Sequence, residues 1–200
     1  MRCIPDKYFD LAIVDPPYGI GVDGQKGYIS KTNSKHNRKY HKFMGWDKER
    51  PSGEYFRELE RVSKNQVIFG GNYFTKHLPA KKGWIVWDKG QHGLSMSDCE
   101  LAYTSYDSPT RVVTINRGVL AREGTFHPTQ KPVRLYTWIL NMFARKGFKI
   151  IDTHCGSASS LIACYRFGVD FLGFEIERSY YNLANERLNK EMAQLRICDL

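Results

Sequence analysis

Leu11-Ala12-Ile13-Val14-Asp15-Pro16-Pro17-Tyr18 is the stretch on which the reading of this chain turns. Its first four residues form a short apolar run with β-branched members, which reads as a buried strand. The two prolines end that strand at once. Each has a fixed φ and no N–H, and each pushes the residue before it into extended geometry. The Asp15 carboxylate, the Pro16 carbonyl and the Tyr18 ring are therefore expected on a stiff ledge at a strand's C-terminal end, where open α/β sheets bind ligands. Two acceptors beside an aromatic face suit a planar group bearing an NH₂: the acceptors take its hydrogens and the ring stacks on it. The plainer alternative is a strand ending in a turn that happens to contain two prolines.

Directly after the ledge the composition changes. Lys26, Lys31, Lys35, Arg38, Lys39 and Lys42, with His36 and His41, fall in one stretch without an acidic residue. Gly, Ser, Thr and Asn fill the gaps, so neither helical nor strand periodicity is sustained and a long cationic loop is expected. Tyr28, Tyr40, Phe43 and Trp46 interleave the charges, a pattern that suits phosphate contact combined with base stacking. A solvated loop without a partner is the alternative. The whole chain has the same sign: 30 Lys and Arg against 21 Asp and Glu in 200 residues, a net charge of +9. A basic surface favours polyanions, nucleic acid first.

The length fits a single domain. No run approaches the ~18 apolar residues of a membrane span, and the start does not resemble a signal peptide. Five cysteines (Cys3, Cys99, Cys155, Cys164, Cys198) are scattered without a C-x-x-C pair. They read as reduced thiols of a cytoplasmic protein, with no disulfide framework. The histidines show no metal-ligand spacing, so no metal is expected.

Further along, Ser52 to Lys64 reads as a helix with Ser52 as N-cap and Phe56, Leu59 and Val62 on one face. Strands are expected at Gln66–Phe69, Gly83–Asp88, Glu100–Ser105 and Arg111–Ile115, with a polar loop over Gln91–Asp98. A helix opens near Pro132, a residue suited to a first helical position, and turns Leu135, Ile139 and Met142 inward. Strand and helix alternate, so the expected class is α/β with a mostly parallel sheet.

Near the other end, Lys149-Ile150-Ile151-Asp152 reads as a strand and Thr153 to Ser160 as a small-residue turn opening a helix. Such a turn lets a ligand approach the backbone, and the helix start offers free N–H donors. Phe171-Leu172-Gly173-Phe174 is the next strand, ending at Glu175, the placement from which an acidic residue grips ribose hydroxyls. The turn is acidic at Asp152 and lacks a P-loop lysine, so an adenosyl ligand carrying a positive charge fits better than a nucleoside triphosphate. An ordinary βαβ unit with a Gly/Ser turn is the alternative. Taken together, the two halves imply one nucleoside pocket and one amine ledge on the same sheet edge.

With these segments in this order, the chain resembles the amino-group DNA methyltransferases of the β class, in which the D-P-P-Y segment precedes the cofactor segment. The resemblance spans nearly the whole chain. His127-Pro128-Thr129-Gln130-Lys131-Pro132 matches the family segment that cradles the methionine end of the cofactor, and Gly70-Gly71-Asn72-Tyr73-Phe74 and Trp87-Asp88-Lys89 resemble segments of the catalytic half. The resemblance implies a circularly permuted Rossmann-like methyltransferase fold with helices on both sheet faces. It implies one domain over 1–200, with a catalytic half at about 1–126 and a cofactor half at about 127–200. It also implies methyl transfer from S-adenosylmethionine to the exocyclic amine of a base flipped out of double-stranded DNA.

Carried over residue by residue, Asp15, Pro16, Pro17 and Tyr18 are the implied catalytic residues. Thr129, Lys131, Asp152, His154, Gly156, Ser157, Ser159 and Glu175 are the implied cofactor contacts. Loop 19–47, through Lys31, Lys35, Arg38, Lys39 and Lys42, is the implied DNA contact. Adenine N6 is the expected target because D-P-P-Y resembles the adenine enzymes. Cytosine N4 and a non-enzymatic nucleic-acid-binding protein with a decayed cofactor site are the alternatives. A homodimer is compatible with a module of this size, and a bacterial or phage restriction-modification setting is implied.

Two departures from the family stand out. The cofactor turn, usually D-P-F-x-G-S-G, carries Thr153 and His154 in place of Pro and Phe, and Ala158 in place of the second Gly. A non-glycine there is expected to require a slightly different turn. Family members also carry a strand and helix before the catalytic strand; here Leu195-Arg196-Ile197-Cys198 is expected to supply an edge strand.

Overall fold

The computed structural model describes residues 1–23, 45–93, 97–116, 118–119 and 124–194. In chain order its elements are β1 (Phe9–Val14), α1 (Gly53–Val62), β2 (Ser63–Phe69), a 3-10 turn (Gly71–Tyr73), β3 (Trp84–Asp88), β4 (Cys99–Thr104), β5 (Arg111–Thr114), α2 (Val133–Phe143), β6 (Lys149–Asp152), α3 (Ser159–Phe167), β7 (Asp170–Gly173) and α4 (Arg178–Ala193). The described strands form one sheet in the order β5-β3-β4-β2-β1-β6-β7. β1 is parallel to both β2 and β6, β6 to β7 and β3 to β5; only β4 runs antiparallel to its neighbours. The expected α/β architecture with a mostly parallel sheet is the one observed.

The apolar run of β1 has no polar alternation because both of its faces are covered. Successive residues point to opposite faces. Leu11 and Ile13 pack with Leu135, Ile139 and Leu140 of α2 and with Ile162 and Ala163 of α3. Ala12 and Val14 pack with Phe56, Leu59 and Val62 of α1. Helices thus lie on both faces, and the strand that carries Asp15 is pinned from two sides.

Several boundaries differ from the sequence expectation. α1 stops at Val62, because Ser63 takes extended geometry and immediately pairs with Phe9 in β2. Ser52 stands at the N-cap without a side-chain cap bond. Pro132 is the N-cap of α2, one position before the first helical residue. Met142 is exposed at 44%, not inward. The buried stripe of α2 is set by Val133, Leu135, Tyr136, Ile139 and Leu140, and Met142 falls at its solvent margin. Strand β7 ends at Gly173, so Glu175 lies in the loop just beyond it. The edge strand expected at Leu195–Cys198 lies outside the described residues, as do Lys31, Lys35, Arg38, Lys39 and Lys42.

Candidate active site

The ledge after β1 is held by three separate segments. The Tyr18 hydroxyl donates to Asp15 Oδ1 at 2.6 Å, and the Lys131 ammonium donates to Asp15 Oδ2. Tyr18 stacks on Tyr73 at 4.9 Å with 15° between the rings. Room for the Tyr18 ring comes from Gly70, which sits at φ +66°. The Gly70-to-Phe74 segment is therefore the seat of the Tyr18 ring. Asp15, Pro16, Pro17, Tyr18, Thr129 and Lys131 come together around a cavity of ≈ 460 Å³, lined also by Trp87, Lys89 and Glu100.

Charges alternate along one wall of this cavity. Lys131 Nζ lies 3.4 Å from Glu100, and Glu100 pairs with Lys89 at 2.9 Å. Burial pushes the Asp15 carboxyl above its ordinary range, opposed by the Lys131 charge and reinforced by Glu100. Burial alone would lower the Lys131 ammonium, but Asp15 and Glu100 outweigh it and hold the lysine above its usual value. Burial also opposes ionisation of Glu100, yet Lys131 and Lys89 bring its carboxyl below the usual range. The row is two carboxylates and two ammoniums, charge-balanced along the cavity wall.

The second half of the site lies on the same sheet edge, since Ala12 of β1 stands beside Ile151 of β6. Asp152 is buried and accepts from the Ser160 hydroxyl at 2.5 Å and the His154 N–H at 3.0 Å. Burial pushes its carboxyl up to about 7. His154 Nδ1 shares a 3.0 Å hydrogen bond with the Thr153 hydroxyl, which meets the Tyr55 hydroxyl at 2.7 Å. Tyr55 also meets the His154 ring edge-on at 5.4 Å. Burial lowers His154 to about 4, so its ring is neutral and serves as a flat, largely apolar surface.

The turn itself corrects the expectation of an altered path. Ala158 takes φ +59°, so it keeps the left-handed conformation that a glycine would supply. Ser157 and Ser159 are buried, and their hydroxyls meet each other at 3.1 Å. Arg187 of α4 donates to the Ser157 carbonyl at 2.9 Å and to the Ser159 hydroxyl at 2.8 Å, locking the turn from behind. Glu175 accepts from the Gly156 N–H and the Glu177 N–H, both at 2.9 Å. These bonds fix the Glu175 carboxylate beside the glycine turn with acceptor capacity to spare. Ile176 next to it is 95% exposed and offers an apolar surface. A carboxylate for ribose hydroxyls, an apolar side chain for a purine face and a bare glycine backbone fit an adenosyl group.

Thr129 meets His127 Nδ1 at 3.2 Å, and the His127 ring is packed between Trp46 at 5.4 Å and Tyr180 at 4.4 Å. Lys131, expected on the cofactor side, commits its ammonium to Asp15 and Glu100. The described segments on either side of residues 24–44 are clasped crosswise. Asp47 accepts from Gly19 N at 2.8 Å and Val22 N at 2.9 Å, while Asp23 accepts from Gly45 N and from Trp46 N at 3.1 Å. Sequence reasoning missed Glu100, Asp23 and Asp47, and it placed Gly70 and Tyr73 only within a family-like segment, not as the seat of the Tyr18 ring. For Glu100 and the two aspartates no local signal exists, because each acts on residues distant in the chain.

Residues 86–186 match the N6/N4 methyltransferase family model, described as DNA methylase. The Type II methyltransferase M.HpaI of Haemophilus parainfluenzae is 25% identical over 96% of this chain and 71% of that protein. The crystal structure of the M1.HpyAVI complex with S-adenosylmethionine overlays with a TM-score of 0.59 at 19% identity, covering 90% of this chain and 89% of that one. The cytosine-N4-specific PvuII DNA methyltransferase overlays at 0.58 and 13% identity, over 96% of this chain and 86% of that one. The family-model match over residues 86–186, half of the chain, makes it a member of the amino-group N6/N4 DNA methylase family, which uses S-adenosylmethionine as its methyl donor.

Proposed function

We propose that this protein methylates the N6 amine of adenine in double-stranded DNA, with Asp15, Pro16, Pro17 and Tyr18 as the catalytic ledge. The observation that carries the reading is the Asp15 carboxylate, fixed by the Tyr18 hydroxyl at 2.6 Å beside a cavity of ≈ 460 Å³, room enough for a base. An exocyclic amine is a weak nucleophile because its lone pair is delocalised into the ring. Asp15 and the Pro16 carbonyl accept its two N–H bonds and favour a pyramidal nitrogen with a localised lone pair. This is positioning and preorganised electrostatics. The Tyr18 ring, backed by Tyr73, stacks on the base through its remaining face and recovers part of the unstacking cost of a few kcal/mol.

Bound S-adenosylmethionine supplies an electrophilic methyl on a sulfonium. On this chain's side, Glu175 would hold the ribose hydroxyls and Ile176 would offer an apolar surface to the purine. Gly156 would let the ligand approach the backbone, and Thr129 and His154 would hold its methionine end. Asp152, Ser157 and Ser159 hold the turn in shape. Lys31, Lys35, Arg38, Lys39 and Lys42 contact phosphates, in a stretch whose flanking residues Val22, Trp46 and Asp47 line the cavity.

Cytosine N4 is the second reading, favoured by the overlay with the cytosine-N4-specific PvuII enzyme. The test is methyl transfer from labelled S-adenosylmethionine to unmethylated genomic DNA, with nucleoside analysis of the product. N6-methyladenine is expected. N4-methylcytosine would keep the ledge chemistry and replace the base. An absence of labelled product from protein that binds both cofactor and DNA would overturn the reading.

A further inference from the structure

We infer that Lys131 is the counter-ion that keeps the part-buried Asp15 ionised for the target amine, and that Glu100 and Lys89 position it. The inference rests on the proposed role of Asp15 as amine acceptor. A protonated Asp15 would offer its O–H as a donor and lose the acceptor that the amine needs. Burial drives the carboxyl toward that neutral form, so the site requires a cation within contact distance.

Lys131 meets the requirement with a built seat. Its side chain is 3% exposed, it bonds Asp15 Oδ2, and it lies 3.4 Å from the Tyr18 hydroxyl. Its ammonium also sits 4.7 Å from the centroid of the fully buried Phe69 ring. A carboxylate oxygen has two acceptor positions, so Oδ2 can hold Lys131 and still receive an N–H from the base. Lys131 alone could be drawn wholly onto Asp15. Glu100 supplies the opposing pull at 3.4 Å and is itself anchored by Lys89 at 2.9 Å, with 9% of the Lys89 side chain exposed. The register that sets Trp87 opposite Glu100 puts Lys89 next to this wall.

Every charged or titratable neighbour of Asp15 enters the sign of the expected effect. Tyr18 and Lys131 favour its ionised form, and Glu100 opposes it. Asp152 of β6, Tyr55 of α1 and Tyr136 of α2 act from further away. Removing Lys131 must therefore raise the pH at which Asp15 ionises, and neutralising Glu100 must lower it.

The experiment is single-turnover methyl transfer to unmethylated genomic DNA from mildly acidic to alkaline pH, with wild type, Lys131→Met, Lys131→Arg, Glu100→Gln and Asp15→Ala. Melting curves with and without S-adenosylmethionine check folding and cofactor binding. Lys131→Met is expected to move the acid limb of the rate profile up by about one pH unit or more, a tenfold change in the ionisation constant per unit. Lys131→Arg keeps the limb near its wild-type position, and Glu100→Gln moves it down. A uniform loss of rate with an unmoved limb in Lys131→Met and Glu100→Gln overturns the inference. Should Lys131→Met fail to fold, Glu100→Gln decides: a downward shift supports the inference and an unmoved limb overturns it. Full activity in Asp15→Ala would instead overturn the role of Asp15 itself.

Discussion

The Tyr18 ring occupies the space that a side chain on Gly70 would fill: a Cβ at Gly70 would lie 2.2 Å from its Cε1. The loop after β2 and the turn after β1 are therefore shaped for each other, and the orientation of the Tyr18 hydroxyl on Asp15 depends on a residue that has no side chain.

Gly70→Ala is accordingly expected to cost both activity and stability, by comparable free energies. The added methyl displaces Tyr18, and the positive φ adds about 1 kcal/mol of strain. Overpacking of this kind destabilises by ~1–3 kcal/mol. Shifting the ledge by about 1 Å is worth ~10²-fold in rate. Single-turnover rates alongside melting temperatures separate the two effects; an unchanged rate would show that Tyr18 does not need this seat.

Asp15→Asn keeps the shape of the ledge and removes its charge. A loss of ~10²- to 10³-fold in methyl transfer is expected, the scale for removing one preorganised electrostatic partner. Glu175 and the glycine turn are untouched, so stabilisation by S-adenosylmethionine in a thermal melt should persist at ~2.7 kcal/mol for ligand at 100 times Kd. Loss of that stabilisation would place Asp15 on the cofactor instead.

Ala158→Gly is expected to change stability by less than about 1 kcal/mol in either direction. Relief of left-handed strain at φ +59° gains ~1–2 kcal/mol. Against it stand the extra chain entropy of glycine, ~0.5–1 kcal/mol, and the lost burial of a methyl, ~0.8 kcal/mol. Ala158→Val should destabilise clearly, because a β-branched residue is a genuine outlier in that conformation. Denaturant unfolding of both variants checks the contrast.

Asp152 and His154 oppose each other in acid. Asp152 ionises at about 7 in the fold against an ordinary 3.8, so the stability it contributes is full below 3.8 and is lost as pH rises through about 7. His154 is held near 4 against an ordinary 6.5, so its contribution is full above 6.5 and is lost as pH falls toward about 4. Each slope is at most ~1.4 kcal/mol per pH unit, and over the shared window they cancel. Asp152→Asn should therefore expose a loss of stability on mild acidification, while His154→Phe should expose a gain. Urea midpoints across this range measure both.

The fold was legible because its signals are local. Val14 followed by Asp15-Pro16-Pro17 marks a strand end whatever surrounds it, and Asp152 to Ser160 carries its own strand-turn-helix pattern. Met142 was misplaced for the opposite reason: helical spacing shows which residues share a face, but the width of the buried stripe on α2 depends on the sheet beneath it. Ser63 likewise belongs to a strand because Phe9, far back in the chain, pairs with it.

By itself, then, the order of residues determined the α/β class, the two segments that line the candidate site and the closeness of a carboxylate to a tyrosine. The tertiary structure alone decided what surrounds that carboxylate. Lys131 reaches Asp15 across 116 positions of chain, Glu100 arrives from β4 and Lys89 from the end of β3. Charge partners inside a protein act through space and low dielectric, and strand pairing, not sequence spacing, sets which of them meet.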